Sequence, residues 1–153
     1  MANTFSQIYI QIVFAVRGRE NLIPQKHKEE LHKYITGIIT KRKQKLLTIN
    51  CMPDHTHIFF GMKPTCYLPD IVRDIKSISS GFIKNKKKFL TNFSWQEGYG
   101  AFSYSHSQLT DVIQYINNQE QHHKKRTFKE EYLDLLKKFD VDYDEQYLFD
   151  WVD

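Results

Sequence analysis

Cysteine is nearly missing from this chain: Cys51 and Cys66 are the only two in 153 residues. Two thiols cannot build a disulfide framework, so a reducing cytoplasmic setting is expected. The pair also fails as half of a zinc site with His55 and His57, because the Cys-x3-His-x-His-x8-Cys spacing does not match the usual paired ligands. Long apolar runs are missing too. The longest, Phe5–Val16, is interrupted by Gln7 and Gln11 and has no basic stretch before it. It is too short to span a bilayer and reads as a strand rather than a signal, so no membrane or export route is expected. No glycine-rich loop of the kind that cradles nucleotide phosphates is present. Neither a repeat nor a long linker appears, and one domain over residues 1–153 is the simplest organisation.

Acid is scarce through most of the chain, and base is absent from its end. Residues 140–153 hold six acidic side chains and no Lys or Arg, which leaves 22 basic and 12 acidic residues before them, a net +10. A body this basic suits a polyanionic partner. Aromatics are generous at 14%, with nine Tyr and eleven Phe, enough to stack on bases as well as fill a core.

Periodicity predicts the elements in order. Ile8, Ile10, Ile12, Phe14 and Val16 alternate with Tyr9, Gln11 and Ala15 in a first strand over Phe5–Val16. Pro24 opens a helix from about Gln25 to Lys43. Strands over Leu46–Cys51 and His55–Met62 flank a Pro53-Asp54 turn and read as a hairpin. A helix over Leu68–Lys86, a short strand over Ala101–Ser105 and a helix over Gln108–Lys125 follow. Thr127 and Glu130 form a capping box for a last helix to about Phe139. The pattern β-α-β-β-α-β with further C-terminal helices predicts an α+β, ferredoxin-like (RRM-like) fold with an antiparallel sheet. In that fold two helices cover one sheet face and the other is left free.

The chemistry concentrates in Pro53-Asp54-His55-Thr56-His57-Ile58-Phe59-Phe60-Gly61. Strand side chains alternate between faces, so His55, His57 and Phe59 share one face and Thr56, Ile58 and Phe60 the other. Two imidazoles side by side on a stiff strand make half of a divalent-metal site. Apolar Ile58 and Phe60 belong against the helices, which sends the histidines to the open side, where a substrate or another helix can reach them. On the helix Gln108–Lys125, Tyr115 and Gln119 are spaced i, i+4 and stack on one face, off the centre of the Leu109, Val112, Ile113, Ile116 stripe. A tyrosine hydroxyl can act as a covalent nucleophile. An amide oxygen one turn away can join two imidazoles around a hard or borderline cation.

Asp54-His55-Thr56-His57-Ile58-Phe59, Tyr115-Ile116-Asn117-Asn118-Gln119, His122-His123-Lys124-Lys125 and the Tyr143-Asp144-Glu145-Gln146-Tyr147-Leu148 tail together resemble the single-tyrosine HUH transposases. These are the small transposases of minimal insertion sequences, and they include the REP-associated tyrosine transposases. The resemblance implies that His55, His57 and Gln119 hold Mg²⁺ or Mn²⁺ and that Tyr115 is the nucleophile. It departs from the family at Thr56, where a bulky apolar residue is usual; the Thr56 hydroxyl faces the core and needs a partner.

The resemblance further implies cleavage and rejoining of single-stranded DNA through a 5′-phosphotyrosine at hairpin-marked element ends. It implies a homodimer whose composite sites pair the tyrosine helix of one subunit with the histidines of the other. Arg17, Arg19, Lys76, Lys84, Lys86, Lys87, Lys88, His122 and His123 are candidates for gripping DNA. The proton acceptor for Tyr115 stays open among metal-bound water, His122 and His123. The alternative is a non-catalytic nucleic-acid binder on the same fold, either a domesticated transposase or an RRM-like RNA module. An RRM signature of Lys/Arg-Gly-Phe is missing, and an intact His-His-Tyr-Gln set has no purpose in a pure binder, which favours the enzyme.

Overall fold

The computed structural model describes residues 4–19, 21–86 and 93–148. Its elements are β1 (Tyr9–Ala15), α1 (Lys28–Lys41), β2 (Lys45–Cys51), β3 (His55–Gly61), α2 (Leu68–Lys86), β4 (Gly100–Tyr104), α3 (Leu109–Asn117), α4 (Gln119–His122) and α5 (Phe128–Lys138). The four strands form one sheet in the order β2-β3-β1-β4, and every pair is antiparallel. This is the predicted β-α-β-β-α-β arrangement.

Alternation along the strands sorts the core into two layers. Ile12, Phe14, Ile58 and Phe60 point to the face covered by α1 and α2, where they join Leu31, Ile35, Ile71 and Ile75. Thr56 lies on this side too, and its hydroxyl meets the Asn50 carbonyl at 3.3 Å and the Cys51 thiol at 3.1 Å. The expected partner for that hydroxyl is therefore present. Val13, Phe59 and Phe102 point the other way, against Val112, Ile116, Phe128 and Leu135.

This second layer corrects one expectation. The sheet face that carries the histidines is not free; α3, α4 and α5 pack on it, and His55 and His57 are fully buried. The reason is the amphipathic C-terminal helices, whose apolar stripes need a surface to cover.

Three local features position the site. The predicted single helix over Gln108–Lys125 breaks at Asn118, whose φ of −98° and ψ of 22° separate α3 from the short α4. The end of α3 is pinned to β2 of the same chain: Asn50 Nδ2 donates to the Ile116 carbonyl at 2.8 Å and Thr48 Oγ1 donates to Asn117 Oδ1 at 2.6 Å. Thr127 caps α5 in the predicted capping box with Glu130. At Gly100 a Cβ would stand 2.8 Å from the Tyr132 hydroxyl. The missing side chain lets α5 sit close to the sheet, and the residue before Tyr132 is Glu131.

Candidate active site

The two histidines are held by the residues behind them. In the β1–β3 ladder Val13 pairs with His57 and Ala15 with His55, so small or branched side chains flank both rings. Phe128 stacks on His55 with ring centroids 4.0 Å apart. His55 Nδ1 donates to the Asp54 carboxylate at 2.6 Å, and His57 Nδ1 donates to Gln11 Oε1 at 2.7 Å. Gln11 is itself oriented by its amide nitrogen, which donates to the Tyr104 hydroxyl at 2.8 Å. These partners fix the protons on Nδ1 and leave both Nε2 atoms aimed into one small space. Such outer partners are how ligating histidines are usually oriented.

Three helical residues close that space. Gln119, fully buried, donates through Nε2 to Glu131 Oε2 at 2.9 Å and turns its Oε1 to within 3.2 Å of His55 Nε2. Glu131, also fully buried, places Oε1 at 3.1 Å from His57 Nε2 and 3.7 Å from His55 Nε2. Tyr115 donates its hydroxyl hydrogen bond to Glu131 Oε2. The structure therefore brings His55, His57, Tyr115 and Gln119 together within one chain, around a carboxylate that the sequence reading did not select.

Glu131 was findable. On α5 the buried residues Phe128, Glu131, Tyr132 and Leu135 fall on one helical stripe, so a carboxylate occupies a core position. A buried acid survives there only with partners.

The electrostatics follow from this crowding. Burial works to raise the Glu131 carboxyl, but His57, His123 and His55 around it prevail and hold it far below the usual carboxylate range. Burial pushes the His55 imidazole below its ordinary value, against the pull of Asp54. Burial and then the Glu131 carboxylate push the Tyr115 phenol above its ordinary value, with Arg126 acting in the opposite sense. Burial also opposes charge on His123, yet its bond to Glu131 raises it overall. His123 Nε2 lies 2.9 Å from Gln119 Oε1 and 3.2 Å from Glu131 Oε1.

The donor set fits a divalent cation. A neutral His55 presents its Nε2 lone pair to two acceptor oxygens, an arrangement that repels unless a cation or proton stands between them. Ligand atoms of His55, His57 and Glu131 all lie within 4.8 Å of one another. Imidazole nitrogens mixed with carboxylate and amide oxygens suit borderline and hard divalent ions.

The remaining candidates fall in different places. His122 stacks on the Tyr115 ring at 4.6 Å, while His123 turns inward. Lys76 Nζ donates to the carbonyls of Gln96 at 2.8 Å and Gly98 at 2.6 Å, and so straps α2 to the loop before β4. Arg17 and Lys84 are exposed. Lys87 and Lys88 lie outside the described residues, as do the side chains of Arg19 and Lys86. Among the described residues no helix is long and apolar enough to cross a membrane.

Comparison with known proteins converges on one family. The ISDra2 transposase TnpA of Deinococcus radiodurans strain R1 is 22% identical over 118 residues, 74% of this chain and 84% of the relative. A solved transposase structure from D. radiodurans R1 shares the fold with a TM-score of 0.61 at 21% identity, over 78% of this chain and 95% of that one. A REP-associated tyrosine transposase solved with a REP hairpin superposes with a TM-score of 0.60 at 15% identity, over 100% of this chain and 93% of that one. The model of the family described as IS200-like transposases matches residues 4–119, so the chain belongs to the IS200-like transposases.

Proposed function

We propose that this transposase is a single-domain DNA strand transferase that works through a covalent tyrosine intermediate. The Tyr115 oxygen attacks a phosphodiester of single-stranded DNA. The new O–P bond forms as the bond to the 3′ oxygen breaks, the phenol proton is released, and the departing 3′ oxygen takes up a proton. A 5′-phosphotyrosine and a free 3′-hydroxyl result. Attack by a different 3′-hydroxyl reverses the step and rejoins the DNA, so no nucleotide cofactor is consumed.

The observation that carries this reading is the meeting of Tyr115, Gln119, His55 and His57 around the buried Glu131 carboxylate. His55, His57 and Gln119, joined by Glu131, would hold Mg²⁺ or Mn²⁺. A bound ion of this kind polarises a phosphate and offsets the charge that develops on it. Glu131 accepts the hydrogen bond of the Tyr115 phenol in the resting enzyme. His122, stacked flat on the Tyr115 ring, fixes the plane of the nucleophile.

Hairpin-marked element ends are the proposed substrate, supported by the neighbour solved on a REP hairpin and by the basic body of the chain. A homodimer in the cytoplasm is the proposed working form. Its sites need not be composite, because α3 is pinned to the sheet of its own chain and Tyr115 meets the histidines of that chain.

An adduct assay tests the reading. The purified protein is incubated with Mg²⁺ or Mn²⁺ and labelled single-stranded DNA from the ends of its own element, then run on a denaturing gel. A metal-dependent band of protein-plus-DNA mass that disappears in Tyr115→Phe supports it. Tight DNA binding without an adduct under either metal establishes the non-catalytic binder instead. Mixing Tyr115→Phe with a His57→Ala variant separates the two site architectures: restored adduct formation means composite sites, and none means sites built from one chain.

A further inference from the structure

A pocket of about 340 Å³ lies between α3 and α5, and Tyr115 and Glu131 form part of its wall. Its buried lining includes Val112 and Leu135, and its exposed lining includes Asp111 and Asp134. Arg126 belongs both to this pocket and to a groove of about 540 Å³ that runs past His55, Lys124 and Lys125. One guanidinium thus joins two concavities, one walled by Tyr115 and Glu131 and the other by His55 and His123. Arg126 Nη2 lies 3.2 Å from the Tyr115 hydroxyl, and its other arm pairs with Asp134. Arg126, Glu131 and Asp134 all lie beyond residue 119, where the family match ends.

We propose that the pocket between α3 and α5 binds one nucleobase of the strand being cleaved, while Arg126 holds the phosphate attached to that nucleotide. The proposal rests on the tyrosine-transferase reading above and names how its substrate is seated. Any phosphate attacked by Tyr115 is flanked by two nucleotides, and the space beside the hydroxyl must take one of them. The pocket volume is at the small end for a ligand site, which suits a single unstacked base and excludes a duplex. Apolar side chains against the ring and polar groups at its edge are how extruded bases are held.

The charges separate base from phosphate. Asp111, Asp134 and Glu131 outnumber Lys138 in the lining and disfavour a phosphate in the pocket interior, whereas Arg126 at its boundary offers one the Nη2 that faces the Tyr115 hydroxyl. The groove with Lys124 and Lys125 then carries the strand onward, as basic grooves do for single strands. Carboxylates accept hydrogen bonds from exocyclic amines such as cytosine N4. Asp134 is engaged by Arg126, so Asp111 is the acceptor expected to meet the base. An amino-bearing base is preferred over thymine, which has no exocyclic amine.

The test uses the full chain with Mn²⁺ and single-stranded oligonucleotides from its element ends. Each of the four bases, and an abasic nucleotide, is placed in turn on either side of the scissile phosphate, and the rate of adduct formation is measured. At one of the two positions, thymine and the abasic nucleotide are expected to slow the reaction about tenfold or more against an amino-bearing base. Asp111→Ala, an exposed substitution that removes the acceptor and leaves the core intact, is expected to shrink that ratio. Arg126→Ala is expected to slow the ordinary substrate about tenfold or more, and a methylphosphonate at the scissile position is expected to narrow its deficit against wild type.

Equal rates for every base and for the abasic nucleotide at both positions overturn the pocket assignment and leave the tyrosine reading standing. An unchanged ratio in Asp111→Ala does the same. A deficit in Arg126→Ala that is alike on phosphate and methylphosphonate removes Arg126 from the phosphate. No adduct with any oligonucleotide defeats the tyrosine reading itself.

Discussion

The two faces of strand β3 are built for different purposes from alternating residues of one heptapeptide. Thr56, Ile58 and Phe60 enter a largely apolar layer under α1 and α2, where packing is the source of stability. His55 and His57 enter a layer just as dry, yet their nitrogens meet the oxygens of Glu131 and Gln119 in a network that burial alone would forbid. What the contrast teaches is that burial here serves two ends. On one face it removes apolar surface from water. On the other it lowers the local dielectric around the groups that the proposed mechanism assigns to a phosphate.

The largest effect should come from the polar face and leave the apolar one untouched. Tyr115→Phe removes one half-buried hydroxyl, and adduct formation on a denaturing gel is expected to fall by more than about a thousandfold. Its urea-unfolding midpoint should move little. A variant that retains adducts would break the comparison at its centre.

The apolar face gives the converse. Phe60→Ala empties a fully buried ring site, and a loss of about 3–5 kcal/mol in unfolding free energy is expected. Where the variant remains folded, its adduct rate per folded molecule should stay near wild type, because Phe60 points away from the histidines.

Smaller in size, but sharper, is Gln11→Ala. It removes the acceptor that fixes the His57 tautomer, so Mn²⁺ affinity measured by calorimetry should drop about 10–100-fold. An unchanged affinity would mean that the Gln11 relay has no part in metal binding.

The smallest effect tests the apolar side through pH. Burial, helped by Lys28, lowers His32 to about 4, and its neutral Nε2 accepts the Cys51 backbone N–H at 3.0 Å. The unfolded chain takes up this proton near pH 6.5 and the folded chain only near pH 4. Stability therefore declines as pH falls across that window and levels off below it. The decline should amount to about 1–2 kcal/mol after allowance for partial exposure. His32→Gln, which keeps an acceptor but does not titrate, should remove that share of the slope in urea-unfolding experiments.

Much of this was legible in the residues themselves. Alternation placed His55 and His57 opposite Ile58 and Phe60, and the Thr127–Glu130 box marked the start of α5; Tyr115 and Gln119, expected on one helix face, lie on two helices either side of Asn118 and meet at Glu131. The β-α-β-β-α-β order followed from periodicity alone, with strand ends differing by a few residues. β1, for example, begins its ladder at Tyr9 rather than Phe5, because residues at the start of the predicted run lie beyond the ends of β3 and β4.

Local sequence thus determined which elements form and which side of each is apolar, since both depend on neighbours within a few residues. The tertiary structure decided what no local pattern encodes. It covered the histidine face with α3, α4 and α5, broke a continuous helical signal at Asn118, and set Tyr115 against the histidines of its own chain. It also brought Glu131, 74 residues from His57, to within 3.1 Å of it. These outcomes depend on which apolar stripe finds which surface and how closely it can dock. A missing side chain at Gly100 and two hydrogen bonds from β2 decide that, and they become neighbours of the site only once the chain has folded.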